Sequence, residues 1–365
     1  MRFPEFSGEW IESKLGDIAD FSKGAGISKD QRSEEGNPCI LYGELYTRYK
    51  SEVITNVFSK TALPDSELVK SKANDIIIPA SGETAEDIAT ARCVPFDNIL
   101  LGGDLNIIRL HEQDGKFFSY QLNGVRKYDI ATVAQGVSVV HLHAGDLKGI
   151  TVKYPSHIAE QEKISQILGL IDDRIATQSK IIEEQETFLK SLADSLISSQ
   201  VANMALNDSV VARSSTMKES EIENSGPFPV FGASGLCGYS NEALEESDSI
   251  LVTKDGSGVG TCQYATGAHS FLGTLCSLTA KEGTYLPYVY YALLNFNFAS
   301  FKTGLAIPHI YFKDYGNAII YCPSYDEQVR IASGLEKIEA QIKSEKEILK
   351  QYQLQKEYLL SRMFI

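Results

Sequence analysis

The chain has 365 residues, 43% hydrophobic and 10% aromatic, enough to bury the cores of two domains and too apolar for wholesale disorder. Its net charge of −14, with no basic block in any segment, gives no independent support for nucleic-acid binding, so local patches or basic partner subunits would have to supply the phosphate attraction. Six scattered cysteines without a C-x-x-C pair argue against zinc or a disulfide framework, and with no apolar signal core near Met1 they imply a soluble, cytoplasmic protein.

Residues 1–154 read as a first unit of short β-rich segments with turns, for example Pro38–Tyr42, Asp75–Pro79 and Asn98–Leu101. Leu15-Gly-Asp17 marks its start, and Phe117–Asn123 is an aromatic stretch near its end. Lys23, Lys29 and Arg32 flank a Gly24-Ala-Gly26 turn, and residues 42–50 interleave aromatics, Tyr46 among them, with Arg48 and Lys50. Cations of this kind hold phosphates, while Ser, Thr and Glu side chains read base edges, so Ser81, Glu83, Thr84, Ser138 and His141 join the candidate DNA contacts. Taken singly, each is more often an ordinary surface residue.

Residues 155–205 form a central helical spacer. Ile164, Leu168, Ile171, Ile175, Gln178, Ile182, Gln185, Leu189, Leu192 and Leu196 alternate steps of four and three, placing them on one seam. Gly169 lies inside this helix at a cost of about 1 kcal/mol relative to Ala, explained either by close helix approach or by a tolerated defect.

Residues 206–322 repeat the β-rich style, from Leu206-Asn-Asp208 through Phe228–Phe231, Ser249–Thr253 and Ala318–Cys322, with a second aromatic stretch at Tyr288–Asn295. The Tyr285–Phe298 run reads as a core helix, too short and polar for a membrane span. Candidate DNA contacts here are Ser234, Tyr239, Lys254, Ser257, Lys302, Thr303 and His309. Asp255-Gly-Ser-Gly-Val-Gly260 lacks the spacing of a dinucleotide fingerprint or a P-loop and reads as a tight turn between strands. Glu242, Glu245, Glu246 and Asp248 read as a solvated acidic loop.

Residues 323–365 form a distal helical spacer, its seam running through Ile331, Leu335, Ile338, Ile342, Glu345, Leu349, Tyr352, Lys356, Leu359 and Met363 at an offset of 167 from the first. Gln178 and Glu345 interrupt both seams at one step, either fixing register or facing solvent where the helices splay. Lys356 stands where the first seam has Leu189, so the distal end is expected to pack less tightly or to meet a partner.

The units are copies. Gly136-Val-Ser-Val-Val-His141 with Asp146 recurs as Gly304-Leu-Ala-Ile-Pro-His309 with Asp314, and Pro155-Ser156 with Gln161 recurs as Pro323-Ser324 with Gln328. A repeat present only twice is no solenoid. His141 and His309 fit a structural role at a turn better than a phosphate or base contact. No H-E-x-x-H metal pattern, nucleophile elbow, amino-methyltransferase motif or paired acidic nuclease signature is present, so neither catalysis nor a metal site is expected.

With Arg2-Phe-Pro-Glu-Phe-Ser-Gly-Glu-Trp10, Gly26-Ile-Ser-Lys, Cys39–Thr47, Pro229–Tyr239, Asp255–Thr261, the Gly-x-x-x-x-His segments and the Pro-Ser heptads, the chain resembles the specificity (S) subunit of Type I restriction–modification enzymes along essentially its whole length. The resemblance implies an α+β fold with a pseudo-two-fold internal repeat: two β-rich target-recognition domains, each followed by a long helix, the helices forming an antiparallel coiled coil that spaces two DNA half-sites. It implies double-stranded DNA, two modification (methyltransferase) subunits and restriction (translocase and endonuclease) subunits as partners. S-adenosylmethionine, ATP and Mg2+ would be used by those partners, none being bound by this chain. The alternative from the residues alone is a non-catalytic coiled-coil scaffold without DNA readout.

Overall fold

Three consecutive isoleucines explain the central strand of the first unit. Side chains alternate across a strand, and in Asp75–Pro79 Ile76 and Ile78 enter one core with Leu15, Phe117 and Phe118, while Ile77 enters another with Ile40, Leu45 and Leu101. Both faces of this sheet are covered, so its middle strand reads as a continuous apolar run. The structure is a computed structural model that describes residues 2–64, 66, 68–304 and 307–364. Positions 305 and 306, inside the second Gly-x-x-x-x-His segment, lie outside the described residues.

The chain divides into two compact units, residues 1–178 with 348–365, and residues 179–347. In the first, an antiparallel sheet has the order Ala19–Lys23, Leu105–Leu110, Asp75–Pro79, Arg92–Val94. A smaller sheet orders Arg32–Ser33, Ser59–Thr61, Asn37–Ile40 and Leu100–Leu101, the last pair parallel. Trp10–Lys14 pairs with Thr151–Pro155, bringing the two edges of the domain together. The aromatic stretch is the helix Gly115–Asn123, capped by the Asp114 carboxylate, which accepts from the Lys116 and Phe117 amides.

The second unit repeats this plan. Its main sheet orders Val210–Ser214, Leu275–Ala280, Ser249–Thr253 and Cys262–Ala265, with Ile250, Leu251 and Val252 fully buried. Phe228–Gly232 pairs with Gly235–Ser240 and, in parallel, with Ser270–Phe271, and Met204–Ala205 pairs with Ile319–Ile320. The two starts match as the sequence suggests: Leu15 and Leu206, both fully buried, each open a helical turn leading into the first sheet strand. The second aromatic stretch is the helix Leu286–Leu294.

The central helix spans Ile158–Ala193 and the distal helix Tyr325–Met363. In the first unit the two run antiparallel, because Lys356 pairs with Asp172 while the Arg174 guanidinium sits over the ring of the earlier Tyr352. In the second unit Lys346 and Glu186 join them at 2.6 Å. Seam positions Ile164, Leu168, Ile171, Ile182, Leu189, Ile331, Leu335, Ile342 and Met363 are buried.

Gln178 is buried and Glu345 half-buried, so the solvent-facing account fails for Gln178. Leu196 is exposed and Ile197 buried in its place, because the helix widens to a π turn at Asp194–Ser198 (Ser199 N–H donates to the Asp194 carbonyl) and the extra residue shifts the seam by one. Gly169 marks no close approach: a methyl there would stand 3.8 Å from the Tyr120 hydroxyl, an ordinary contact. The acidic loop is not simply solvated. The Glu245 side chain is largely buried near Arg213, and the Asp248 carboxylate accepts from the Gly267 amide and the Tyr264 hydroxyl. Lys356 is neither loosely packed nor free, since it is the centre of a buried ion cluster.

Candidate nucleic-acid interface

The flanks of the repeated Gly-x-x-x-x-His segment pair as the same hairpin in each unit, and backbone geometry dictates its glycine. Gly136 and Gly304 adopt φ of +125° and +86°, and a Cβ there would lie 2.1 Å from the Val139 carbonyl oxygen and 2.3 Å from that of Ile307. The histidine closes the turn through its main chain. His141 exchanges both backbone hydrogen bonds with Gln135, and His309 exchanges both with Thr303. A structural role at the turn is thus present at both sites.

Each hairpin lies against the turn that follows the central sheet strand. In the first unit Val140–His141 pairs with Ser81–Gly82, and the Leu142 amide donates to the Ala80 carbonyl. In the second, His309 bridges Asp255, the Ile310 amide donates to the Lys254 carbonyl, and the Gly256 amide donates to the Pro308 carbonyl. The scaffold is the same and the side chains differ. His309 Nδ1 is 3.8 Å from the Asp255 carboxylate, whereas His141 has Ser81 opposite it and stacks at 6.4 Å on His143.

The structure gathers most of the first unit's candidates around this ladder. Ser138, His141 and Glu83 are exposed, Ser81 is buried beneath them, and Thr84 caps the short helix Ala85–Ile88 by accepting from the Asp87 amide. The Tyr46 hydroxyl reaches the same turn, close enough that a Cβ on Gly82 would be 3.9 Å from it. Burial, and then Tyr42, Asp87 and Glu83, hold the Tyr46 phenol above its ordinary range, so it remains a donor at neutral pH. One turn of helix carries Tyr46 beside Glu44, a buried carboxylate that accepts from the Ser59 hydroxyl at 2.5 Å. Arg32 and Arg48 approach Glu44 at 3.9 and 3.6 Å, and the Arg48 guanidinium lies 4.5 Å over the exposed Phe58 ring. Phe58 lies ten residues beyond Arg48, a spacing with no periodic signal to mark it in the sequence. Lys29 is exposed on the neighbouring 3-10 turn and its carbonyl accepts from the Arg32 Nε. Lys23, at the end of an outer strand, and Lys50, donating to the Thr47 carbonyl, are exposed outside this cluster.

In the second unit the structure assembles Lys254, Ser257, Lys302, Thr303 and His309 along the hairpin and its turn. Ser234 and Tyr239 belong elsewhere, on the Phe228–Ser240 hairpin, where Ser234 tops the turn and the Tyr239 backbone pairs with Glu223. Among the described residues no cluster of His, Cys, Asp and Glu could hold a metal ion, and no helix is long and apolar enough to cross a membrane.

The family described as "Type I restriction modification DNA specificity domain" matches this sequence twice, over residues 7–187 and 200–353. The chain belongs to the Type I restriction–modification specificity family. It is a specificity subunit, supplying DNA recognition to a restriction–modification complex and carrying no catalysis of its own. A putative type I specificity subunit of Mycoplasma pneumoniae is 23% identical over 256 residues, covering 59% of this chain and 67% of that one. The crystal structure of a Type I S subunit from M. genitalium shares the fold, with a TM-score of 0.68 at 20% identity, covering 100% of this chain and 99% of that one. A structure concerned with complex assembly and conformational transition of the type I restriction–modification system has a TM-score of 0.58 at 13% identity, covering 99% and 98%.

Proposed function

We propose that each β-rich domain of this specificity subunit reads one half of a bipartite, asymmetric DNA site, residues 1–154 reading one half and residues 206–322 the other. The observation that carries this reading is the duplicated scaffold with divergent surface: sheet order and Gly–His hairpin repeat, while the residues on them differ, Ser81 against Asp255 being one instance. Two copies reading different bases need the same frame and different side chains. Direct readout falls to Tyr46, Glu83, Thr84, Ser138 and His141 in the first domain, and to Ser234, Tyr239, Ser257, Thr303 and His309 in the second. Lys23, Lys29, Arg32, Arg48, Lys50, Lys254 and Lys302 serve phosphates, and Ser81 supports the first hairpin from beneath.

The segments 155–205 and 323–365 act as the spacer that sets the unread gap, through coiled-coil pairing of the two helices. Two modification subunits bind the repeated frame equivalently, bringing S-adenosylmethionine, and restriction subunits bring ATP and Mg2+. The complex works on cytoplasmic DNA. With a net charge of −14, the chain depends on those partners for much of the phosphate attraction.

The test begins by mapping methylated adenines across the genome of cells carrying the system, which defines both half-sites and their gap. Removing or adding matched turns in both helices should then change the gap and leave the bases of each half-site intact. An unchanged gap refutes the spacer role; altered half-site bases refute the division of reading between the domains.

A further inference from the structure

The break in the distal seam at Lys356 is a built site. Its ammonium lies 2.5 Å from a Glu52 carboxylate oxygen and 2.6 Å from one of Asp172, and the three side chains are 14%, 9% and 9% exposed. The other Asp172 oxygen accepts from the Tyr120 hydroxyl at 2.7 Å, and Lys356 lies 5.9 Å from the Tyr120 ring centre. Arg92, also buried, donates to the Tyr49 carbonyl at 2.9 Å, and the Glu52 carbonyl accepts from the Cys93 amide at 2.8 Å. The stretch from Tyr49 to Glu52 is therefore pinned on one side by the sheet strand and on the other by the distal helix. It is the base of the segment that carries Tyr46, Arg48 and Phe58.

Stability alone is a poor account of such a cluster, because a buried ion pair is commonly no better than apolar residues of like volume. The repeat supplies the comparison. At the equivalent seam position the second unit has Leu189, and there the Glu339 carboxylate, matching Asp172, accepts from Tyr291 at 2.8 Å and Tyr290 at 3.3 Å. The tyrosine–carboxylate contact thus belongs to the shared frame, whereas the Lys356–Glu52 contact belongs to the first copy. Features of one copy only are where the reading of one half-site is expected to reside.

We infer that Lys356 is a positioning residue for the first half-site: by holding Glu52 it sets the Tyr42–Phe58 segment, so the last turns of the distal helix govern what the first domain reads. This rests on the proposal that the segment faces DNA. The experiment uses the full chain assembled with its modification subunits, and duplexes bearing single-base changes in either half of the mapped site. Lys356→Leu, which copies the residue at position 189, should lower discrimination at the first half-site at least tenfold and leave the second unchanged. Lys356→Arg should restore it. Amide exchange should accelerate across residues 42–58 and remain unchanged across residues 206–322. Should Lys356→Leu fail to fold, Glu52→Gln, which leaves the Lys356–Asp172 pair in place, should show the same selective loss.

Equal losses at both half-sites, or unaltered discrimination and exchange, overturn the inference. The underlying reading is tested apart from it by Tyr46→Phe and Arg48→Ala. If those leave DNA binding intact while Lys356→Leu still accelerates exchange across residues 42–58, the DNA-facing reading falls and the mechanical link stands.

Discussion

Replacing Gly169 by Ala should stabilise the protein. The residue sits in the middle of the central helix, at the edge of a cleft of about 540 Å³ lined also by Tyr120, Leu170 and Asp172. Glycine in a helix interior costs about 1 kcal/mol relative to alanine, and the added methyl meets only the Tyr120 hydroxyl, at 3.8 Å. No overlap offsets the gain, which leaves a net stabilisation of ~0.5–1 kcal/mol. For a unit of this size that corresponds to a rise in Tm of roughly 1–4 °C. Urea unfolding followed by circular dichroism measures it, with an unchanged m-value as the control. The same substitution at Gly136 must act oppositely, since φ there is +125° and the methyl would lie 2.1 Å from the Val139 carbonyl oxygen; a loss of at least ~1–2 kcal/mol is expected locally. A destabilised Gly169→Ala protein would refute the reasoning, because it would require a close approach at Gly169 that the packing does not contain.

Tyr120→Phe should cost more than Tyr291→Phe. Asp172 is buried and loses a strong charge-assisted bond, about 1.5–3 kcal/mol, whereas the half-buried Glu339 keeps Tyr290 and reaches water, leaving about 0.5–1.5 kcal/mol. Chemical denaturation of the two variants gives the order, and the reverse order would contradict the burial argument. At pH 8, the first thiol to react with a soluble maleimide in the native protein should be that of the exposed Cys237, although partial burial holds it too above the ordinary thiol range. Burial pushes Cys39 up to about 11 and both Cys93 and Cys262 to about 12, so these hold little thiolate until the pH approaches those values. Specific DNA should slow labelling of Cys237 if the Phe228–Ser240 hairpin faces it, and undiminished labelling would remove Ser234 and Tyr239 from the interface.

The duplication was legible in the amino-acid order because it rests on local requirements that survive divergence. A left-handed glycine and a turn-closing histidine each constrain residues close together in sequence and appear where the repeat placed them, and the 4–3 apolar seam does so up to the π turn that moves it from Leu196 to Ile197. The buried strands were legible for the same reason, as short β-branched runs bounded by turns. The candidate interface was visible only in part: His141 and Ser81, 60 positions apart in sequence, meet through a two-residue ladder that no periodicity announces. Lys356 shows the limit most clearly. The heptads marked it as an exception, but an exposed lysine and a buried one break an apolar seam identically. Only the tertiary structure could decide, because the carboxylates that make burial of its charge tolerable come from Asp172, 184 residues earlier, and Glu52, 304 residues earlier.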